Sequence, residues 1–134
     1  MNRKVVMKKL FVAGALLVGG MIPFVPAQAE MNSYAVAVLQ GLNKVTARVS
    51  EFEVPLNQPV LFGSLEITAQ SCRKSPPEEA PEATSFLEIS DVSSDGERKP
   101  MFSGWMFASS PAISALEHPV YDVWVLDCRP ATKP

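Results

Sequence analysis

The amino-acid sequence predicts a mostly β domain: a small antiparallel β-sandwich or partly open β-barrel with one short helical segment, closed by one disulfide. Three observations predict it. About six segments alternate apolar and polar side chains or run rich in β-branched and aromatic residues, and turn-forming residues separate them at short intervals. Helical signals are confined to one stretch. The only two cysteines, Cys72 and Cys128, fall at the ends of two predicted strands.

Taken in order, the chain begins with a segment that is not part of the fold. Arg3, Lys4, Lys8 and Lys9 precede an apolar run over 10–25, and Ala27-Gln28-Ala29 follows. A basic start, an apolar middle and small residues at the end form a secretory signal, so residues 1–29 are expected to be cleaved at Ala27 and Ala29, before Glu30. A permanent anchor fits less well. The run is short of the roughly 20 residues a spanning helix needs, and Pro23 and Pro26 interrupt its end. No cysteine stands near the cleavage point for lipid attachment, so a periplasmic protein with no stable membrane insertion is expected.

What remains, 30–134, is 105 residues with 8 Lys+Arg against 14 Asp+Glu, a formal charge of about −6. One small domain fits this length. The acidic balance and scattered cations argue against nucleic-acid binding, which needs a basic face to displace counterions from phosphate. An even cysteine count in an exported chain reads as a structural disulfide. A redox dithiol would place its two sulfurs two residues apart.

Residues 36–54 read as a half-buried strand, with Val45, Ala47 and Val49 facing one way and Lys44, Thr46, Arg48 and Ser50 the other. Asn57-Gln58-Pro59 supplies a turn. Val60-Leu61-Phe62 and the alternation from Leu65 to Gln70 give two short strands or one bent strand, with Gly63 at the bend. The proline- and carboxylate-dense stretch 76–83 is an extended solvated loop. Phe86-Leu87-Glu88-Ile89 resumes the strand pattern, 93–100 is a polar turn and 101–108 is a dense apolar run, together a hairpin. A hydroxyl pair, Pro111 and small residues predict one or two helical turns over 109–116, ended by His118-Pro119. The last strand, 120–128, reads as central from its aromatic and apolar content.

Chemistry is hard to find. Gly104-Trp105-Met106-Phe107 is no nucleophile elbow, and no glycine-rich phosphate loop follows a predicted strand. One histidine leaves no metal ligand set, and neither a metal nor a cofactor is expected. A triad of Ser109 or Ser110, His118 and Asp122 can be written from residue types alone. Glu117, Asp122 and Asp127 invite an acid–base reading, but Asp122 and Asp127 are an odd number apart and should face opposite sides of an ideal strand. Trp105 and Trp124 have apolar neighbours that favour a packed interior, although aromatic faces also stack on sugars, prolines and cations. The candidate binding region is therefore Trp105, Ser109, Ser110, Glu117, His118, Asp122 and Trp124.

Two strings are long and specific: Gly104-Trp105-Met106-Phe107-Ala108-Ser109-Ser110-Pro111 and Tyr121-Asp122-Val123-Trp124-Val125-Leu126-Asp127-Cys128. With Leu42 to Val49, Phe62 to Ile67 and Cys72-Arg73-Lys74 they resemble an uncharacterised bacterial family catalogued as domain of unknown function 2155, over roughly residues 40–128. The resemblance implies an exported protein of Gram-negative, alphaproteobacterial type and transfers no catalytic residue, cofactor or activity. The expected function is a non-catalytic envelope module binding a periplasmic protein or a cell-wall component. A small hydrolase using Ser109 or Ser110, His118 and a carboxylate, and a carrier of an apolar or glycan ligand, are the alternatives.

Overall fold

The computed structural model describes residues 14, 19–24 and 31–131, so Ala27, Ala29, Glu30 and most of the predicted leader lie outside the described residues. Eight strands form within them: β1 (Asn32–Ser33), β2 (Val36–Asn43), β3 (Arg48–Pro55), β4 (Val60–Phe62), β5 (Leu65–Lys74), β6 (Ala83–Val92), β7 (Arg98–Phe107) and β8 (Tyr121–Arg129). The larger sheet has the order β1-β5-β6-β7, and β4 shares the outer edge of β5 with β1; the smaller is β3-β2-β8. Every pairing is antiparallel. The sheets do not close into a barrel, so the sandwich is the alternative that holds.

Alternation fills the space between the sheets. Ala37, Leu39, Val54, Val123, Val125 and Cys128 point in from the smaller sheet, and Leu65, Ile67, Ala69, Cys72, Leu87, Ile89 and Met106 meet them from the larger one. Leu39, Leu65 and Leu87 have no exposed surface; burying each stabilises the fold by about 1.5–3 kcal/mol. Cys72 on β5 and Cys128 on β8 are bonded across this core, their Cα atoms 5.8 Å apart. The predicted link between the strand before the proline loop and the last strand is present.

Four expectations need correction. Residues 36–54 are not one strand. Asn43 Oδ1 accepts the amides of Val45 and Thr46 at 3.0 and 3.2 Å, and Ala47 takes φ 57°, so a tight turn splits the stretch into β2 and β3 and leaves Val45 77% exposed. A short side-chain acceptor competing for backbone donors produces this turn. Second, 109–116 contains no helix: Ile113 N donates to Ser110 O at 3.1 Å in an isolated turn. Too few residues separate Pro111 from His118-Pro119 to offset the cost of helix nucleation. Third, β8 pairs only with β2 and so lies at a sheet edge; its apolar content reflects packing against β6 through the core. Fourth, neither tryptophan packs in the core: Trp105 is 38% exposed and Trp124 half-buried.

The connection over 108–120 runs the length of the sandwich. It leaves β7 where Ala108 N donates to Ala83 O at 2.8 Å, at the start of β6, and reaches β8 beside Lys44, whose amide donates to Val120 O at 2.8 Å. Leu116, 4% exposed, enters the core on the way.

Candidate functional site

His118 is fixed by three bonds. Its Nδ1 accepts the amides of Val120 and Tyr121 at 3.0 and 3.1 Å, which leaves the ring proton on Nε2, and Nε2 lies 2.9 Å from Asp91 Oδ2. The residue is 8% exposed and its backbone carbonyl accepts the Lys44 ammonium at 2.8 Å. Ser64 hydroxyl and His118 together hold the Asp91 carboxyl below the usual aspartate range. His118 thus bridges the end of β6 to the turn that starts β8 and has no ring nitrogen left over.

The serines stand at the opposite end. Ser109 donates its amide to Glu82 Oε1 at 3.1 Å and its hydroxyl to Glu82 Oε2. Burial alone would raise the Glu82 carboxyl, but these bonds and the Ala83 and Ala108 amides outweigh it and hold the group low. Glu82 precedes β6 and Asp91 lies near its end, nine residues on, a span of about 30 Å at strand rise. Ser109 and His118 are therefore not brought together. Ser110 closes a turn through its amide to Phe107 O at 3.2 Å, and Glu117 is exposed.

A bulge in the β2–β8 ladder, where Val38 pairs with Asp127 but Leu39 with Val125, overturns the expected parity. The extra residue, Leu126, puts Asp122 and Asp127 on the same outer face, since Val123, Val125 and Cys128 all point inward. They remain apart in use. Asp122 Oδ1 accepts the Val123 amide at 2.9 Å, whereas Asp127 pairs with Lys74 at 2.9 Å. Burial works to raise the Asp127 carboxyl, and the bonds from Lys74 and the Cys128 amide bring it below its ordinary value despite that.

Neither tryptophan is core, which corrects the fourth expectation. Met106 points inward, so Trp105 lies on the solvent face of the larger sheet, 38% exposed; Trp124, between inward Val123 and Val125, lies half-buried on the outer face of the other sheet. They cannot form one platform. Trp105 instead meets Phe86, its register partner on β6, edge-on with ring centroids 5.5 Å apart, and the Arg73 guanidinium lies 5.9 Å from the Trp105 ring centre. Phe107, half-buried, flanks them on the same face. Of this group the sequence marked only Trp105. Arg73 and Phe86 carry no local signal because three strands bring them together, and strand register is what sets their neighbours.

Elsewhere, an open cleft of about 600 Å³ lies beside Ser64, Asp91, Ser93, Glu97, Arg98 and Lys99. Two of its four charged residues are engaged: Arg98 pairs with Glu66 at 2.9 Å and Asp91 with His118. Among the described residues no group of three His, Cys, Asp or Glu is placed to hold a metal ion, and no helix is long and apolar enough to cross a membrane.

Fold and surface together define a disulfide-bonded antiparallel β-sandwich whose outward aromatic group sits on one sheet and whose conspicuous polar side chains are tied into turns and strand ends. The chain belongs to the family described as an uncharacterized protein conserved in bacteria (DUF2155), which matches residues 37–128. It is similar to the uncharacterized protein RP359 of Rickettsia prowazekii (strain Madrid E), 29% identical over 100 residues that make up 75% of this chain and 64% of the relative. The chain thus spans less than two thirds of that relative's length. No solved structure matches.

Proposed function

We propose that this protein is an exported, non-catalytic module of the bacterial cell envelope that holds a partner on the outer face of its larger sheet. The observation that carries the reading is the exposure of Trp105 beside Phe86 and under Arg73. An outward tryptophan supplies a large, rigid contact surface at low entropic cost and is enriched where proteins dock. The basic and apolar leader and the cysteine pair support export into the oxidising periplasm. The hydrolase reading lacks its geometry, because Ser109 and His118 are bonded to different carboxylates at opposite ends of β6. The carrier reading draws no support from an interior filled by Leu39, Leu65, Ile67, Leu87 and Val125.

The test is photo-crosslinking in intact cells from a photoreactive residue at position 105, with position 49 on the other sheet as control. A reproducible adduct from 105 alone is the expected result. Equal labelling from both positions, or none from 105, overturns the docking face.

A further inference from the structure

We propose that the partner presents an extended, carboxylate-bearing polypeptide segment, which pairs with the free edge of β7 and sets a carboxylate on Arg73. This inference rests on the docking face above and names what occupies it.

Two independent features converge. The first is the edge itself. β7 ends the order of the larger sheet, so one side of its ten-residue backbone has no strand partner among the described residues. Proteins normally blunt such an edge with charge or proline. Here Arg98, Lys99 and Pro100 do so for the first third only; from Met101 to Phe107 the edge carries neither, the 108–120 connection bonds to it only through Ser110 N to Phe107 O among the described residues, and Trp105 lies within this part. An added strand would satisfy the unpaired amides and carbonyls and lay alternate side chains against the aromatic face.

The second feature is charge. The Arg73 guanidinium is exposed and lies over the Trp105 ring, and like Arg48 and Lys99 it makes no ion pair among the described residues, whereas Lys74, Arg98 and Arg129 are each matched to a carboxylate. An arginine beside an aromatic ring that makes no ion pair keeps N–H donors available, and its planar fork can take a carboxylate by two parallel bonds. Glu88 lies on the same outer face of β6, two residues from Phe86 and unpaired with Arg73. It sets polarity: a complementary segment carries its carboxylate opposite Arg73 and none opposite Glu88. A neutral glycan would use Trp105 but has no need of the edge or of an unpaired guanidinium.

The experiment titrates the oxidised protein, as isolated from its own cells grown on labelled nitrogen, with four probes followed by amide shifts. These are a capped hexapeptide carrying one glutamate among valine and serine residues, its single-lysine counterpart, the acidic peptide N-methylated on alternate amides, and chitotetraose. The acidic peptide is expected to shift the 101–107 amides and the Trp105 indole. Arg73→Glu should weaken it about tenfold, the size of a lost charge-assisted pair, and Glu88→Gln should tighten it. N-methylation should abolish binding by removing the strand donors. Equal binding of both charge types, retained binding of the methylated peptide, preference for chitotetraose, or no shift with any probe at millimolar concentration overturns the proposal. So does dimerisation through β7 in sedimentation, which would make a second copy the occupant. The two readings fail separately: an adduct at position 105 that proves to be a glycan or a basic segment removes this inference and leaves the docking face standing.

Discussion

At the scale of single residues, the ring of His118 ties the end of β6 to the entry of β8. His118 is the domain's one histidine, and residue type alone suggested a base. Its Nδ1 instead satisfies two backbone donors at the entry to β8, and its partner Asp91 is 27 residues away, a separation no local pattern reveals. Replacing His118 by Ala should leave those donors and Asp91 unmatched and cost about 1–3 kcal/mol, read as a shift in urea midpoint. If His118→Ala melts like the parent protein, the bridge has no structural role. The carboxylates give a pH dependence of definite sign. Glu82, Asp91, Asp95 and Asp127 are all held below their ordinary values. Their contribution is therefore fully present above the ordinary carboxylate range, about pH 4, and is lost as the pH falls through the lowered values. Melting temperature should hold steady from neutrality to about pH 5 and fall below about pH 4, with Asp91→Asn flattening the acid limb. An acid limb unchanged in that variant would contradict the assignment.

At the scale of elements, periodicity located β4 to β8 to within a few residues but failed wherever one residue changed the count. The turn at Asn43 to Ala47 and the bulge at Leu126 each reset which side chains point inward, and the second reversed the relation of Asp122 to Asp127. Close approach of the sheets shows at Gly41 on β2 and not at Gly104 on β7. A Cβ at Gly41 on β2 would overlap the Phe62 ring, which stacks on Phe52 with centroids 5.1 Å apart, whereas a Cβ at Gly104 on β7 would meet Phe102 at an ordinary 3.5 Å. Gly41→Ala should destabilise by about 1–3 kcal/mol through overpacking, and Gly104→Ala should fold normally. Equal behaviour of the two in thermal melts would argue against the packing of β4 over β2. The exposed aromatic face was only half legible for the same reason. Apolar neighbours of Trp105 are equally consistent with either face of a sheet until the register is fixed.

For the whole molecule, the fold class and the cysteine pairing were readable because they rest on coarse quantities: the density of strand segments, the scarcity of helical ones and the number of cysteines. The bridge between Cys72 and Cys128 closes 56 residues of sequence separation and ties the two sheets directly. On the chain-entropy model it contributes about 4 kcal/mol, a large part of what a domain of this size retains. Reduction should lower the melting temperature markedly, and a melt indifferent to reductant would assign the stability to the core alone. The sheet order was not readable, since it depends on which strand edges meet, a matter of register rather than local pattern.

The proposed export and the single bond between Cys72 and Cys128 are tested together by intact-mass analysis of the protein from its own cells, after alkylation under denaturing conditions. The predicted mass is that of residues 30–134 less two hydrogens, with no alkyl group added. A full-length chain carrying two alkylated cysteines would contradict it.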